Sequence, residues 1–227
     1  MSVSPGSREQ VLSNVRRATR DGRGNVGPSY AGLERKYVRA GTMTLEKQLE
    51  LIIERLREYD AEVVKAMPEE LPAAIGEQLK ASGRHVFAAP DGLPKEWLAP
   101  GFDWKIDGGL ATADIEKTEG VVTAAFCGIA DSGTIVLHHS PTEGRRVISL
   151  LPDWHLCVLR ASQVVETFPE YVARCTEAPA LATYISGPSA TADIEMTRIK
   201  GVHGPRFLHV ILVRDERAVV PPTGGSI

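Results

Sequence analysis

Residues 154–175 read Trp-His-Leu-Cys-Val-Leu-Arg-Ala-Ser-Gln-Val-Val-Glu-Thr-Phe-Pro-Glu-Tyr-Val-Ala-Arg-Cys, and this stretch decides the fold. Its first six residues form an apolar run of strand length, and residues 168–175 have the composition of a helix. The alternation continues with a strand at 181–185, a helix at 191–199 and a final strand at 207–213. Such alternation predicts an α/β fold, with a mainly parallel sheet and helices on both faces.

The same alternation extends towards the N-terminus. It predicts a strand at 61–65, a helix at 68–79 and a strand at 84–88. Residues 90–110 are rich in proline and glycine and predict a loop. The β-branched runs at 120–127 and 134–138 predict neighbouring strands joined by a hairpin or a sharp turn.

Residues 1–60 carry more charge and less strand pattern than the rest of the chain. Within them, residues 44–59 place apolar side chains at steps of three and four, which predicts an amphipathic helix capped by Thr44 or Thr42. We therefore expect a helical N-terminal arm over residues 1–60, packed on the core or on a partner subunit. An α/β core domain should follow over residues 61–227.

Composition excludes several classes of protein. The net charge of −3 provides no surplus of Lys and Arg for neutralising phosphates, so we expect no nucleic-acid partner. We find no apolar run of about 18 residues, which predicts no membrane span. The N-terminus has no signal-peptide core, and a reducing, cytoplasmic setting fits the scattered cysteines.

Metal and redox sites are also not expected. Cys127, Cys157 and Cys175 lie far apart, without the spacing of an iron–sulfur or structural zinc site. His138 and His139 should point to opposite faces of a strand and so cannot share one metal. A Gly-x-Gly-x-x-Gly turn after a strand is missing, so the sequence predicts no cofactor.

The strongest local signal for a ligand is residues 184–195, Tyr-Ile-Ser-Gly-Pro-Ser-Ala-Thr-Ala-Asp-Ile-Glu. A predicted strand runs into a small-residue turn and then a predicted helix, whose free N–H groups would attract a carboxylate or phosphate. The binding residues would be Gly187, Ser189 and Thr191. An N-capped turn without a ligand is the alternative, and it is favoured by Asp193 and Glu195, which themselves complement the helix dipole.

A short internal echo links this segment to an earlier one. Residues 111–116 read Ala-Thr-Ala-Asp-Ile-Glu, and residues 190–195 repeat them. The echo indicates either two similar helix starts or two related halves that face one site.

Three further segments carry candidate ligand groups. The turn at residues 130–134 would place Thr134 near a ligand and make Asp131 a general base if it is buried, or it is an Asx-type turn. Arg145 and Arg146 can grip a carboxylate or phosphate, or they form a surface pair. His203 lies in a tight Gly-Val-His-Gly-Pro loop that enters a strand, where a structural or partner-contact role competes with binding.

Together these segments resemble the LUD (lactate utilisation) domain family, through residues 120–137, 144–158 and 187–213. The most specific match is residues 187–195 followed by the 201–205 loop. The Asp131–Thr134 turn is similar to an acidic-Thr-Gly-Thr turn of the family, with Ser132 where threonine is commoner. The chain lacks the ferredoxin-like cysteines of the longer iron–sulfur member.

The resemblance implies a NagB/RpiA/CoA transferase-like fold and a setting in which L-lactate is oxidised to pyruvate with iron–sulfur partner proteins. Our first hypothesis is a non-redox subunit of that system. The second is a free-standing enzyme for a small anionic substrate (acyl, sugar-phosphate or folate-like), with Asp131, Glu195 and Glu119 as acid–base groups. The third is a ligand-sensing module that uses the same turn without catalysis.

Overall fold

The computed structural model describes residues 6–20, 32, 34, 36–191, 199–200 and 204–215. The chain divides into two compact units, Met1–Tyr37 and Val38–Ile227. In the first unit, helix α1 (Ser7–Arg20) exposes Val11 and Val15 and joins Arg17 to Asn14 by a side-chain hydrogen bond of 2.8 Å. None of the described helices is long and apolar enough to cross a membrane.

The second unit contains the remaining described helices and strands. Its helices are α2 (Leu45–Glu58), α3 (Leu71–Ser82), α4 (Thr112–Ile115), α5 (Arg146–Leu150) and α6 (Phe168–Arg174). Its strands are β1 (Glu62–Ala66), β2 (Val86–Pro90), β3 (Asp103–Asp107), β4 (Gly120–Ala124), β5 (Cys127–Ile129), β6 (Thr134–Leu137), β7 (Trp154–Arg160), β8 (Val164–Val165), β9 (Thr183–Ile185), β10 (Ala190–Thr191), β11 (Ile199–Lys200) and β12 (Phe207–Val213).

Six of these strands form the large sheet, in the order β1-β12-β7-β4-β2-β3. Every neighbouring pair in it is parallel. Parallel strands of one sheet need crossover connections, and α3 lies in the connection from β1 to β2, which are separated in the sheet by three other strands. The α/β class and the mainly parallel sheet are therefore confirmed.

The central strand β7 shows that helices cover both faces of this sheet. Leu156 and Val158 pack in the cluster that contains α3, whereas Cys157 and Leu159 pack in the cluster that contains α2. Successive side chains of a strand point to opposite faces, so α2 and α3 lie on opposite sides. Burial on both faces explains why β7 reads as a continuous apolar run.

Helix α2 is part of the packed body of the second unit. The Thr44 hydroxyl accepts a hydrogen bond from the Lys47 amide, as expected for its cap, and the helix buries an apolar stripe. The buried apolar residues are Leu49, Ile52, Ile53 and Leu56. Of the two placements expected for this helix, packing on the core is the one observed, while a domain boundary at residue 60 stays a prediction.

A second, smaller sheet has the order β8-β5-β6-β9 and corrects the predicted hairpin. The β-branched run at 120–127 is not one strand but is divided between the two sheets. The Ala125 amide still bonds to Val158 of the large sheet, whereas the next amide, of Phe126, bonds to Val136 of the small one. The hairpin therefore joins β5 to β6, through the turn at residues 130–133.

Two other expectations fail. Residues 90–110 contain β3, a parallel edge strand beside β2. The prolines that suggested a loop all precede this strand and so leave its hydrogen bonds intact. The predicted helix at 191–199 has strand at both ends, since β10 pairs antiparallel with β11, and residues 192–198 lie outside the described residues. The first copy of the echo begins α4, but the second begins β10, where pairing overrides local propensity.

Candidate functional site

A cavity of about 180 Å³ lies at the amino ends of β7 and β12. Helix α5 contributes Arg146 and Ser149, residues 183–189 come from β9 and its following turn, and the large sheet contributes His155 and Leu208. Ligands of open parallel sheets usually bind at the opposite, carboxyl ends. Here β9 of the small sheet and the turn after it supply one wall at the amino end.

Arg146 is held at this cavity by a chain of hydrogen bonds. Its Nη1 donates to Thr183 Oγ1 at 2.8 Å, and the same oxygen lies 2.8 Å from His139 Nε2. His139 Nδ1 lies 2.8 Å from the Gly144 carbonyl oxygen, which can only accept. Every member of these hydrogen bonds is satisfied when His139 Nδ1 donates to the Gly144 carbonyl oxygen and Nε2 accepts from the Thr183 hydroxyl group. His139 also has a left-handed backbone, with φ of 59°.

The small-residue turn predicted to bind a ligand lines the same cavity. Gly187 has φ of +86°, and a Cβ atom there would lie 2.5 Å from Tyr59 Cβ, so the position requires glycine. The Ser189 amide donates to the Pro205 carbonyl at 2.8 Å. The Thr134 hydroxyl lies 2.7 Å from that of Ser186, which connects the predicted turn at 130–134 to the cavity wall.

His155 forms part of the cavity although only 1% of its surface is exposed. Its Nε2 lies 2.8 Å from Thr123 Oγ1. Burial lowers the pKa of His155 to about 4, so the imidazole is neutral at neutral pH. No role was predicted for His155 from the sequence; its signal was a single histidine inside an apolar strand.

Arg145, the other member of the predicted pair, is committed to a neighbour. Its guanidinium bonds the Asp107 carboxylate through Nε at 2.9 Å and Nη2 at 2.5 Å, and it also reaches the Leu110 carbonyl. The hydrogen bond from Arg145 lowers the pKa of the Asp107 carboxyl group. Asp107 was missed, since it ends a strand that the sequence did not predict.

Two of the predicted carboxylates, Asp131 and Glu119, do not line the cavity. Asp131 is exposed in the turn before β6, and Glu119 accepts hydrogen bonds from the His85 and Val86 amides at the start of β2, which lower its pKa. Glu195 and His203 lie outside the described residues, as does the side chain of Thr191. The cavity therefore brings together Arg146, Gly187 and Ser189, with Thr134 one hydrogen bond away.

A second polar cluster lies where β6 ends. Glu143 is buried, accepts a hydrogen bond from the His138 amide, and accepts another from the Ser140 hydroxyl at 2.7 Å. His138 Nε2 lies 2.9 Å from the Tyr171 hydroxyl, and burial lowers the pKa of His138. Across the described chain, the histidines, cysteines and carboxylates do not form a group of three or more able to hold a metal ion.

Fold and cavity together define an α/β protein with a parallel six-stranded sheet and a small cavity to which β9 of a second sheet contributes one wall. The LUD domain model matches residues 37–213, and the chain belongs to this family. That match covers the large sheet, the small sheet and the cavity-forming residues described above.

The relatives agree with this assignment. Lactate utilization protein C from Deinococcus radiodurans is 35% identical over 94% of this chain and 100% of its own length. Lactate utilization protein C from Bacillus pumilus is 27% identical over 92% of this chain and 97% of its own. A crystal structure of a DUF162 family protein from Deinococcus radiodurans shares 32% identity, covers 76% of this chain and 99% of that one, and superposes with a TM-score of 0.64.

Proposed function

We propose that this chain is a non-redox subunit of an L-lactate utilisation system, in which iron–sulfur partner proteins accept the electrons that are released when lactate is oxidised to pyruvate. The observation that carries the proposal is the near end-to-end similarity to a protein named Lactate utilization protein C. A cytoplasmic location is part of the same proposal.

An exposed apolar patch supports association with another protein. Phe168 and Val172 on α6 are 50% and 51% exposed, and the Phe168 ring lies 5.9 Å from that of Tyr184, itself 49% exposed. Contiguous exposed apolar side chains of this kind mark sites of association. The family resemblance, rather than the patch, is the reason for expecting an iron–sulfur partner.

The test is a pull-down of the tagged full chain from lactate-grown cells of its source, with iron assayed in the eluate. We expect partner proteins and iron to be recovered, and Phe168→Glu with Val172→Glu to reduce both. The control is Ile106→Glu, which replaces an exposed apolar residue of the edge strand β3 by a glutamate. Recovery of the wild-type chain alone and free of iron would contradict the proposal.

A free-standing enzyme or ligand-sensing module for a small anion is the second candidate, and the cavity favours it. Arg146 supplies positive charge there, beside the Gly187 and Ser189 turn. Saturable binding without turnover would indicate a sensor. If turnover is found and survives Asp131→Asn combined with Glu195→Gln, the proposed acid–base groups are wrong.

A further inference from the structure

The interior hydrogen bonds of β4 and β7 fix the state of His155. These hydrogen bonds run from His155 through Thr123 and Cys157 to the Ala124 carbonyl oxygen. That oxygen lies 3.8 Å from Cys157 Sγ and can only accept. Cys157 therefore donates its S–H there and receives the Thr123 hydroxyl, 3.8 Å from its sulfur. Because the Thr123 proton is used in this way, Thr123 Oγ1 accepts from His155 Nε2, which must carry a hydrogen.

The other ring nitrogen, Nδ1, is then a bare acceptor, since a neutral imidazole has one donor and one acceptor. Among described residues, Nδ1 has no hydrogen-bond partner. Among described residues, the side-chain atoms that are both fully buried and without a partner are Arg55 Nε and Trp154 Nε1. Nδ1 of His155 is not one of them, so it keeps some exposed surface. His155 contributes to the cavity wall, so Nδ1 opens into the cavity. A lone pair in so buried a position favours a ligand that donates a hydrogen bond.

Arg146 supplies the charge of the cavity. Within the described lining it is the one side chain that is charged at neutral pH. Its bond to Thr183 uses one of the five guanidinium N–H donors and leaves the others for a ligand or solvent. A planar guanidinium of this kind matches the geometry of a carboxylate.

The size of the cavity limits the ligand. Its volume is about 180 Å³. An interior cavity of roughly 150 Å³ accommodates benzene, so the present one suits a molecule of about six non-hydrogen atoms. Simple hydroxy acids are of this size.

We propose that the cavity binds a small hydroxycarboxylate, with Arg146 holding the carboxylate and His155 Nδ1 accepting the hydrogen bond of the hydroxyl group. This inference deepens the proposed function, from which it takes only its first probe, L-lactate. The hydroxycarboxylate class itself follows from the two polar groups and the volume of the cavity.

The test compares three probes on the wild-type full chain by calorimetry. L-Lactate carries both recognised groups, propionate lacks the hydroxyl group, and lactamide lacks the carboxylate. We expect L-lactate to bind, and each analogue to bind about tenfold more weakly or worse. Propionate leaves the buried Nδ1 of His155 without a donor, and lactamide leaves the guanidinium of Arg146 without a carboxylate. Equal affinity for L-lactate and propionate, or no binding of L-lactate, would overturn the inference.

A spectroscopic measurement tests the role of His155 without a variant. In histidine ring ¹⁵N correlation spectra, the Nδ1 resonance of His155 should be that of an unprotonated nitrogen and should move on addition of L-lactate but not of propionate. An Nδ1 resonance insensitive to both acids would mean that the lone pair faces water alone, and would overturn the assignment.

Variants test the other end of the site. Arg146→Gln should weaken L-lactate binding at least about tenfold, whereas Arg17→Gln, on the exposed helix α1, should leave it unchanged. Unchanged binding in Arg146→Gln would contradict the inference. The pull-down is independent of these results: binding without partners removes the proposed function alone, and partners without binding remove this inference alone.

Discussion

Arg145 and Asp107 form a two-point ion pair that ties the loop before α5 to the carboxyl end of β3, with Nε–Oδ2 and Nη2–Oδ1 distances of 2.9 and 2.5 Å. The Asp107 side chain is fully buried, whereas half of the Arg145 side chain is exposed. The carboxylate also accepts the Gly109 and Leu110 amides. The pair therefore stabilises the edge of the sheet rather than serving the cavity.

Asp107→Asn should lower the free energy of unfolding by about 2 kcal/mol at pH 7, because the charged acceptor for Arg145 is lost. The lowered pKa of Asp107 means that its stabilisation is present above the unfolded pKa of about 3.9 and is lost as pH falls through the folded value. Urea denaturation should therefore show the wild type and the variant converging below about pH 4. Asp114→Asn, at an exposed pair with Lys117, is the control and should have no measurable effect.

Gly187→Ala should destabilise the chain more than Gly83→Ala. Both glycines have positive φ, of +86° and +68°, but a Cβ at Gly83 would have open space and one at Gly187 would collide with Tyr59. The control should cost about 1 kcal/mol and Gly187→Ala roughly twice that or more. Thermal and urea unfolding check this, and adding Tyr59→Gly to Gly187→Ala should restore part of the loss. Equal costs at the two glycines would show that the close approach to Tyr59 is absent.

Ile52→Ala should cost about 2–5 kcal/mol, because Ile52 is fully buried on α2 and packs in the cluster shared with β7 and β12. Ile106→Ala, at a position 41% exposed on the edge strand, should cost less than about 1 kcal/mol. Chemical denaturation of the three proteins gives the comparison. A small cost at Ile52 would mean that α2 is an appendage, as an arm ending at residue 60 would allow.

Acid should destabilise the wild type partly through His155. The unfolded histidine takes up a proton near pH 6.5 and the buried one near pH 4, so the unfolded state holds more protons in between and stability falls as pH falls through that window. At about 1.4 kcal/mol per pH unit, the loss is roughly 3 kcal/mol. In His155→Gln, this contribution to the pH dependence of the free energy of unfolding should vanish. The contributions of His138 and His209, whose pKa values burial also lowers, should remain. Parallel stability curves for the wild type and His155→Gln would contradict this.

The architecture could be predicted from the sequence because the most deeply buried strands have a clear apolar pattern. Residues 154–159 were predicted as a strand and form most of β7, since packing on both faces demands an unbroken apolar run. The edge strand β3 has mixed polarity, and the prolines that precede it made its weak strand pattern resemble a loop. The division of residues 120–127 between two sheets is set by partners distant in sequence, which no local pattern records.

The candidate site was predicted in part for the same reason. The turn at Gly187 has a local signature, because positive φ demands glycine. Arg145 and Arg146 are adjacent in sequence, but the first binds Asp107 and the second binds Thr183 at the cavity. Each of these partners is more than thirty-five residues away in the sequence. Side-chain direction and distant partners therefore decide which of two identical residues faces the cavity.

The passage of one chain segment from β4 into β5 makes the two sheets mechanically and thermodynamically inseparable. The Ala125 and Phe126 amides are consecutive, yet each belongs to a different sheet. A cut there would separate β1 to β4 from β7 and β12 of the large sheet, while all four strands of the small sheet would stay together. Beyond this point the chain returns to the large sheet at β7 and again at β12, with strands of the small sheet before and between them. The body from α2 to β12 should thus melt as one cooperative unit, and its cavity should form only when both sheets have formed.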